Sequence, residues 1–439
     1  MLLLPAVSSS AVFAQQQQMS LKDVLQVTAK GNRQLQIRSL ELKRSEEMVK
    51  EAKSFLLPSV QLNSSYLFFA ERPVIYLRDE SAMPKAIDTK YGGRLAFDAN
   101  VTAVYGLTNP VVKNQVKAAA LQQKTALQNK KALEEQLVVE VSQLYYTVLF
   151  YEQQKQVLLQ SQLRNEQALT DAKNLYLQGK NLKTDTLSHF IAVQNIKLAV
   201  SAVENQIGVA HMQMKQVMGA ELSEEILLTD SLAIETAFIH QLLSSAAMEI
   251  AGNNRSDLHL AKLRLEQSKL QEERVRAMFK PTLQVFAQYQ VQSQADDYRF
   301  KYYGLPRTSF AGVRLTVPIY SGNRLKYQSA ASAISLKQQE LALADITSKA
   351  ETVIAALSVK LKNEVQQWSI QKQNIHAALS GYQMQYERYK AGLGSRLELT
   401  DAELKLTQAR LEDTRLQYSI RLLVMDYQKA LGILTLTNK

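Results

Sequence analysis

The stretch "RYKAGLGSRLELTDAE", residues 388–403, has a counterpart earlier in the chain. Residues 175–190 read "LYLQGKNLKTDTLSHF". In both stretches a tyrosine is followed three residues later by glycine, then by a basic turn, an acidic residue and a long helical pattern. The chain has only 15 glycines in 439 residues, so a repeated glycine turn of this kind predicts a repeated architecture.

Turn-forming residues elsewhere extend this repeat over the chain. Gly179 matches Gly392 and Gly219 matches Gly432, with one and the same sequence offset, and Pro58 matches Pro281 with a slightly larger one. The offset differs because the first copy has about ten more residues between its two strand-like runs. We therefore predict two repeats, residues 15–225 and 226–439, that arose by duplication.

Each repeat is predicted to contain a helix, two strands, a very long helix, a tip turn and a returning helix, in that order. In the first repeat these are a helix over 21–57, strands at about 59–69 and 93–105, a helix over 112–177, a tip turn at 178–183 and a helix over 184–218. In the second they are a helix over 248–280, strands at about 282–292 and 309–317, a helix over 324–390, a tip turn at 391–396 and a helix over 397–432. The long runs almost lack glycine and proline and carry a continuous apolar stripe, which is typical of coiled-coil packing.

The four strand-like runs have one apolar side and one polar side. The predicted polar side carries Arg94, Asp98, Asn100, Gln284, Gln288 and Arg314. Each run has the length of a tilted membrane-spanning strand, and this alternation is typical of a transmembrane barrel with the polar residues in its lumen. The half-buried sheet of a soluble protein gives the same alternation. The pattern alone therefore does not decide between a transmembrane barrel and a soluble sheet. Four strands cannot close a membrane barrel, so a barrel would have to be shared between chains.

Composition and charge exclude several classes of function. The chain has no cysteine, which excludes a disulfide scaffold, a cysteine metal site and a thiol nucleophile. The net charge is +11, but lysines and arginines are scattered among acids along helical runs, which favours solvated helix faces over a nucleic-acid surface. The histidines lack metal spacing, and no phosphate loop or catalytic triad pattern occurs. We therefore predict no metal, no cofactor and no enzymatic activity.

The first residues, "MLLLPAVSSSAVFA" (1–14), form an apolar run that ends in small residues. A secretory signal peptide has such a run before its cleavage site, and we predict that residues 1–14 are one, although a basic start is missing. A buried N-terminal helix is the alternative. No later run approaches about 18 uninterrupted apolar residues, the length that predicts a transmembrane helix.

With these features the sequence resembles the TolC-like outer-membrane efflux duct family. The resemblance rests on the duplicated order of elements, on "VPIYSGNRLKYQSAASA" (317–333) where a strand meets a long helix, and on the two glycine turns. It implies a mainly α fold with a β-barrel part. Long coiled-coil hairpins would form a trimeric α-barrel, and each chain would add four strands to a twelve-stranded transmembrane β-barrel.

The same resemblance implies a function and partners. The protein would be the passive outer-membrane exit duct of a tripartite efflux or type I secretion system in a Gram-negative bacterium. Most of the chain would lie in the periplasm, where a periplasmic adaptor protein and an inner-membrane pump open the tip. The alternative is a soluble, elongated periplasmic coiled-coil scaffold without a pore.

A gate at the two tips is also implied by the resemblance. Matching without gaps places Glu398 and Asp401 at two acidic positions of the constriction. Tyr389 falls on a tyrosine that reaches the neighbouring helix pair, and Asp185 falls on its acidic partner.

The arginine of the family's gate has no direct counterpart. Its position holds Gly394, and the nearest arginine is Arg396, which we include in the predicted gate. The residues predicted to dock the adaptor at the tips are Gly179, Lys180, Gly392 and Gly394.

Local helix chemistry offers a second interpretation of the same tip. Ser395 and Glu398 have the spacing of a capping box, in which the two side chains bond the first amides of a helix. Gly392 or Gly394 could serve only to end the preceding helix with a positive φ. Glu398 therefore stays open between cap and gate, whereas Asp401, one turn inside the helix, favours a lumen role.

Overall fold

The computed structural model of the chain describes residues 17–77, 87–90, 92–244, 247–299, 304–434 and 436. The predicted signal peptide, residues 1–14, lies outside them. The described residues form two compact units. The helical unit contains those of 1–40, 127–261 and 343–439, and the sheet unit contains those of 41–126 and 262–342. Each unit therefore draws on both sequence repeats.

Helices make up most of the described chain. They are α1 (Leu21–Gly31), α2 (Arg33–Ser54), α3 (Pro110–Leu177), α4 (Lys183–Met218), α5 (Thr236–Ser244), α6 (Ala247–Asn254), α7 (Ser256–Ala277), α8 (Arg324–Lys390) and α9 (Arg396–Leu431). α3 has 68 residues and α8 has 67, which at 1.5 Å per residue is roughly 100 Å each. In the described parts of the chain, no helix combines the length and apolar character needed to cross a membrane.

A four-stranded antiparallel sheet forms the centre of the sheet unit. Its order is β2–β5–β7–β8, and two smaller pairs join β1 with β6 and β3 with β4. The strands are β1 (Gln17–Met19), β2 (Ser59–Phe68), β3 (Val74–Leu77), β4 (Ile87–Lys90), β5 (Leu95–Thr108), β6 (Ile226–Leu228), β7 (Thr282–Ala295) and β8 (Arg307–Thr316). The central pair, β5 and β7, comes from different repeats, so the sheet exists only because the two repeats combine.

The register of this sheet aligns the apolar residues of its strands on one face. Adjacent rows are Leu62–Val101–Tyr289 and Asn63–Asn100–Gln290, which alternate between the apolar and the polar face. The apolar face is open on the single chain, where the side chains of Leu62 and Val60 are 71% and 67% exposed. A shift of one residue between any two strands would place apolar side chains on the polar face.

The core of the helical unit lies between each long helix and its returning helix. In the first repeat, Val141 and Met214 are buried between α3, α4 and α1. In the second, Leu361 and Ile420 are buried between α8 and α9, against residues of α5 and α6. Burial of these apolar stripes, rather than local helix propensity, holds helices of this length in place.

The prediction of uninterrupted helices over 21–57 and 248–280 is wrong, because each is broken at one residue. Asn32 separates α1 from α2, and Arg255 separates α6 from α7. At each break the side chain bonds a carbonyl near the end of the returning helix. Asn32 Nδ2 donates to the Val217 carbonyl at 2.8 Å, and Arg255 Nη1 donates to the Ala430 carbonyl at 3.3 Å. The two donors have the sequence offset of the proline pair and the two acceptors that of the glycine pairs, so the duplication extends to single hydrogen bonds.

Other predicted boundaries differ by a few residues. Arg94 lies at a bend before β5 and not inside the predicted strand 93–105. Further shifts include α3 beginning at Pro110, β5 extending to Thr108, β7 extending to Ala295, β8 beginning at Arg307, α4 beginning at Lys183 and α9 beginning at Arg396. The hydrophobic periodicity of the sequence is weak at the end of an element. The observed ends therefore differ from the predicted ones, although the elements themselves are present.

Candidate functional site

The two tip turns of the helical unit have the same backbone. Gly179 and Gly392 adopt φ values of 71° and 76°, in the left-handed region that favours glycine. In each turn the glycine amide donates to the tyrosine carbonyl three residues earlier, and the next amide donates five residues back. These bonds are Gly179 to Tyr176, Lys180 to Leu175, Gly392 to Tyr389 and Leu393 to Arg388, all at 2.9 Å. The long helices therefore end in the same glycine cap.

Gly394 serves a different purpose from Gly392. Its φ is not positive, but a Cβ at this position would lie 3.0 Å from the backbone nitrogen of Tyr389. Its amide also donates to the carbonyl of Arg388 at 3.0 Å. The second turn thus folds back closely on the end of α8, where a larger residue would crowd the backbone.

The returning helices start differently in the two tips. α9 begins with a complete capping box, since Ser395 Oγ accepts from the Glu398 amide at 3.2 Å and a Glu398 carboxylate oxygen accepts from the Ser395 amide at 3.4 Å. Arg388 also approaches Glu398 at 3.9 Å. α4 has no side-chain cap at its N-terminus. The structure therefore shows Glu398 acting as a cap, whichever further role it has.

Two side-chain contacts join the first tip to the second. Arg396 Nε donates to Asp185 Oδ1 at 3.0 Å, with 35% of the Arg396 side chain and 19% of the Asp185 side chain exposed. Asn181 Nδ2 donates to the Tyr389 hydroxyl at 3.1 Å. Three of the five predicted gate residues thus lie in one network. Within the chain, however, Asp185 pairs with Arg396 and not with Tyr389.

A buried histidine lies beneath these contacts. His189, one helical turn after Asp185, is 3% exposed, and its ring centroid is 5.8 Å from that of Tyr389 in an edge-to-face arrangement. Its Nε2 atom finds no hydrogen-bond partner among the described residues. Burial lowers the pKa of His189, the positive charge of Arg396 lowers it further, and Asp185 opposes the shift. The imidazole therefore stays neutral at neutral pH.

Further contacts join the two hairpins farther from the turns. The Tyr386 hydroxyl donates to Asp171 Oδ2 at 3.0 Å, and burial together with this bond raises the pKa of Tyr386 to about 12. Arg164 donates to Glu403 at 3.0 Å, and the same carboxylate oxygen accepts from Ser161 at 2.6 Å. With side-chain exposures of 16% and 13%, Arg164 and Glu403 form the most enclosed ion pair seen between described residues.

The remaining predicted tip residues lie outside this network. Asp401 pairs with Lys405 on its own helix at 2.6 Å, and both side chains are more than half exposed. Lys180 is exposed in the first turn. These observations do not test the lumen role of Asp401 or the docking role of Lys180, so both roles stay predictions.

Five of the predicted lumen residues lie on one face of the four-stranded sheet. Asp98 accepts hydrogen bonds from Asn100, at 2.9 Å, and from Gln290. Gln284 is directly opposite Arg314, whose guanidinium carbon lies 4.9 Å from the ring centroid of Phe286. The same face also contains Gln288, opposite Phe310. Phe286 and Phe310 were not expected on the polar face, where they form an edge-to-face pair with centroids 6.2 Å apart.

Several residues of the tip network carry no sequence motif of their own. Asn181, His189 and Asp171 gain their positions only when the two hairpins pack side by side. The spacing of four residues between Asp185 and His189 is a signal that they share a helix face, but it does not reveal what the face meets. Among the described residues, no cluster of three or more acids, histidines or cysteines is placed to hold a metal ion.

A sequence profile of the family described as "Outer membrane efflux protein" matches residues 247–432. Over these residues the chain is similar to the outer membrane efflux protein family. The match covers the part of the chain from α6 to the end of α9, including the second tip and the two strands β7 and β8. The first repeat lies outside the matched residues. It shares with the second repeat the glycine caps and the hydrogen bonds of Asn32 and Arg255 to the returning helices.

Solved structures of membrane channels and outer-membrane proteins share the fold of this chain. CusC has 16% sequence identity and a TM-score of 0.78, with 94% of this chain and 92% of that chain covered. VceC from Vibrio cholerae has 15% identity and a TM-score of 0.75, with coverage of 94% and 96%. MtrE from Neisseria gonorrhoeae, solved in its open state, has 16% identity and a TM-score of 0.74, with coverage of 94% and 88%. A search of curated protein sequences finds no match.

Proposed function

We propose that this chain is one subunit of a passive exit duct in the outer membrane. The observation that carries this proposal is the four-stranded sheet, whose register places apolar side chains on one face of every strand. An exposed apolar face of this size is unfavourable in water but suits the hydrocarbon of a membrane. The match of residues 247–432 to the outer membrane efflux protein family supports the same function.

The proposed assembly is a homotrimer that works with a periplasmic adaptor and an inner-membrane pump. β2 and β8 are the edge strands of the sheet, and among the described residues no further strand pairs with either outer edge. Unpaired strand edges cannot remain open in lipid, since their amides and carbonyls need partners. Three chains that join β2 to β8 of the next would close twelve strands into one barrel, with Asp98, Asn100 and Gln284 facing water.

The helical tips are proposed to be the periplasmic gate and the surface where the adaptor docks. The Arg396–Asp185 and Asn181–Tyr389 contacts hold the two tips of a chain together, and the adaptor would act on the exposed turns around Gly179, Lys180 and Gly392. The duct performs no chemistry in this proposal, because export is driven by the pump. A soluble coiled-coil scaffold would also use long helices, but it gives no reason for an exposed apolar sheet face.

Membrane fractionation tests this function directly. When the full-length gene is expressed in a Gram-negative host, we expect the protein in the outer-membrane fraction as an oligomer that runs as a trimer in mild detergent and as a monomer after boiling. Deletion of the native gene should raise the sensitivity of the cell to at least one exported compound. A protein found only as a soluble periplasmic monomer would contradict the duct and favour the scaffold.

Neutralising the acidic pair of the second tip tests its proposed lumen role. A ring of carboxylates at a constriction attracts cations and is blocked by multivalent ones. In the Asp401→Asn variant, alone and combined with Glu398→Gln, we expect weaker block by divalent or trivalent cations in planar bilayers. Conductance and cation block equal to those of the wild type would rule out these two residues as gate acids. Since Glu398 also caps α9, the Asp401→Asn variant alone is the cleaner test.

The buried His189 predicts a loss of stability in acid. Its pKa in the folded protein lies below the ordinary value of 6.5, so the unfolded chain binds more protons between these two pKa values. Stability is therefore fully present above pH 6.5, falls as the pH drops through this window, and levels off below the folded pKa. Arg396, Asp185 and Tyr389 are the charged and titratable groups around the ring.

Thermal melting of the wild type and of His189→Gln across this pH range checks the prediction. We expect the melting temperature of the wild type to fall more between neutral and mildly acidic pH than that of the variant. Equal falls in the two proteins would show that other groups control acid stability.

A further inference from the structure

Two cavities of the helical unit occupy the same position in the two repeats. The first-repeat cavity, of about 610 Å³, lies between α2, α3 and α4, and the second-repeat cavity, of about 590 Å³, lies between α7, α8 and α9. Several of their lining residues correspond by the repeat relation. Asn32, Gln213 and Val217 line the first where Arg255, Asp426 and Ala430 line the second. Each of these pairs has one of the two sequence offsets that relate the repeats.

The second-repeat cavity has an additional wall. It is formed by α3 of the preceding repeat, through Ala132, Glu135 and Gln136. Glu135 holds this wall in place, because its carboxylate accepts a hydrogen bond from Ser256 Oγ at 2.5 Å. Among the described residues, those that line the first-repeat cavity come only from the first repeat, and none comes from α8. The counterpart of the wall is therefore missing from the single chain.

Side-chain exposure shows the same difference. Met425 of α9 is 6% exposed and packs with Val138 of α3 in one core cluster. Its counterpart on α4 by the repeat relation, Met212, is 59% exposed. Leu411 is likewise partly buried, whereas its counterpart Leu198 is 70% exposed. The face of α4 thus carries apolar side chains that are covered in the second repeat by a neighbouring long helix.

We infer that a second copy of this chain completes the first-repeat cavity with residues 345–352 of its α8. These residues are the counterparts of 132–139 in α3, and the register is supported by burial. Leu137, Val141 and Val148 are buried in α3, as are Ala350, Ile354 and Leu361 in α8. The inference rests on the proposed oligomeric duct and adds which surfaces meet and in which register.

The charges of the two surfaces are complementary. The first-repeat cavity presents Arg33 and Glu140. On α8, the side chains of Asp345 and Lys349 are 58% and 73% exposed, and among the described residues they pair only with each other, at 2.6 Å. By the repeat relation, Ser348 of the second copy lies opposite Arg33, as Glu135 lies opposite Ser256. Asp345 of the second copy then approaches Arg33, and Lys349 of the second copy approaches Glu140. Each of these contacts brings together two residues of opposite charge.

Engineered cysteines test this joint between the first-repeat cavity of one copy and α8 of the next, since the chain has no cysteine of its own. In the full-length protein in outer membranes, the Arg33→Cys/Ser348→Cys variant is treated with a short bismaleimide. We expect covalent dimers and trimers at a yield about tenfold or more above that of either single variant, because residues held together react at a high effective concentration. The Met212→Cys/Glu351→Cys variant is the second pair and should behave alike.

Two matched controls separate the joint from chance contact. The Arg33→Cys/Lys362→Cys pair places the second cysteine 14 residues farther along α8, roughly 21 Å away, and should give no more oligomer than the single variants. The Glu135→Cys/Ser256→Cys pair should cross-link within one chain and leave a monomer band. If the protein is a native trimer but neither inter-chain pair links, the inferred joint is wrong and the duct proposal stands. If the protein is a monomer, both are wrong.

Discussion

The Glu403→Ala variant should be destabilised by about 3 kcal/mol or more, the largest loss expected from breaking an ion pair between described residues of the helical hairpins. Glu403 accepts hydrogen bonds from Arg164, Ser161 and Thr407, at 3.0, 2.6 and 2.7 Å. Its removal leaves the guanidinium of Arg164 enclosed without its counter-ion, beside the ring of Tyr382 at 5.7 Å. An enclosed charge that loses its partner costs more than the pair contributed.

Chemical denaturation in detergent measures this loss, and a second ion pair on the same helix supplies the control. Glu412 pairs with Arg415 at 2.6 Å, but both side chains are about half exposed. Glu412→Ala should therefore change the free energy of unfolding by no more than about 0.5 kcal/mol, as is usual for a solvated pair. Equal losses in the two variants would show that the Arg164 network adds nothing beyond an ordinary surface pair.

The Arg396→Ala variant should shift the duct strongly toward an open tip. Each Arg396–Asp185 hydrogen bond joins charged groups and, being partly exposed, contributes about 1.5 kcal/mol. Three copies in the proposed trimer sum to about 4.5 kcal/mol, which changes the ratio of closed to open tips by about two-thousandfold if the tips move together. Single-channel recording should show this as larger conductance and longer open times.

Rescue and a neighbouring pair make this result specific. The charge-exchanged variant Asp185→Arg/Arg396→Asp can form the same pair in reverse and should recover most of the closed behaviour. Lys405→Ala breaks the exposed Asp401–Lys405 pair on α9 and should leave the open times unchanged. An Arg396→Ala channel that conducts like the wild type would remove this pair from the gate.

The repeated order of elements could be predicted because it depends on local chemistry. A long helix that ends in a left-handed residue favours glycine there, as at 179 and 392, and proline at 58 and 281 ends a helix, whatever surrounds them. The switch from helical to alternating periodicity after each proline identified the strands in the same way. The helix break at Asn32 could not be predicted from the sequence, because its cause is a hydrogen bond to Val217, 185 residues away.

The tip site shows the same limit more sharply. The capping box at Ser395 and Glu398 was visible in the sequence, since it uses residues three apart on one helix. The pairing of Asp185 with Arg396 was not, because these residues are 211 apart and meet only through the packing of two hairpins. His189 showed no motif at all, and its burial against Tyr389 became evident only in the fold.

The conductance of the purified wild-type oligomer in planar lipid bilayers distinguishes a duct from a scaffold without a pore. A duct whose strands surround a polar lumen should insert into the bilayer and give discrete current steps of one size. The steps should be larger when Arg396 is replaced. Insertion without any ion current, from a protein confirmed as a folded trimer, would show that the protein is not a duct.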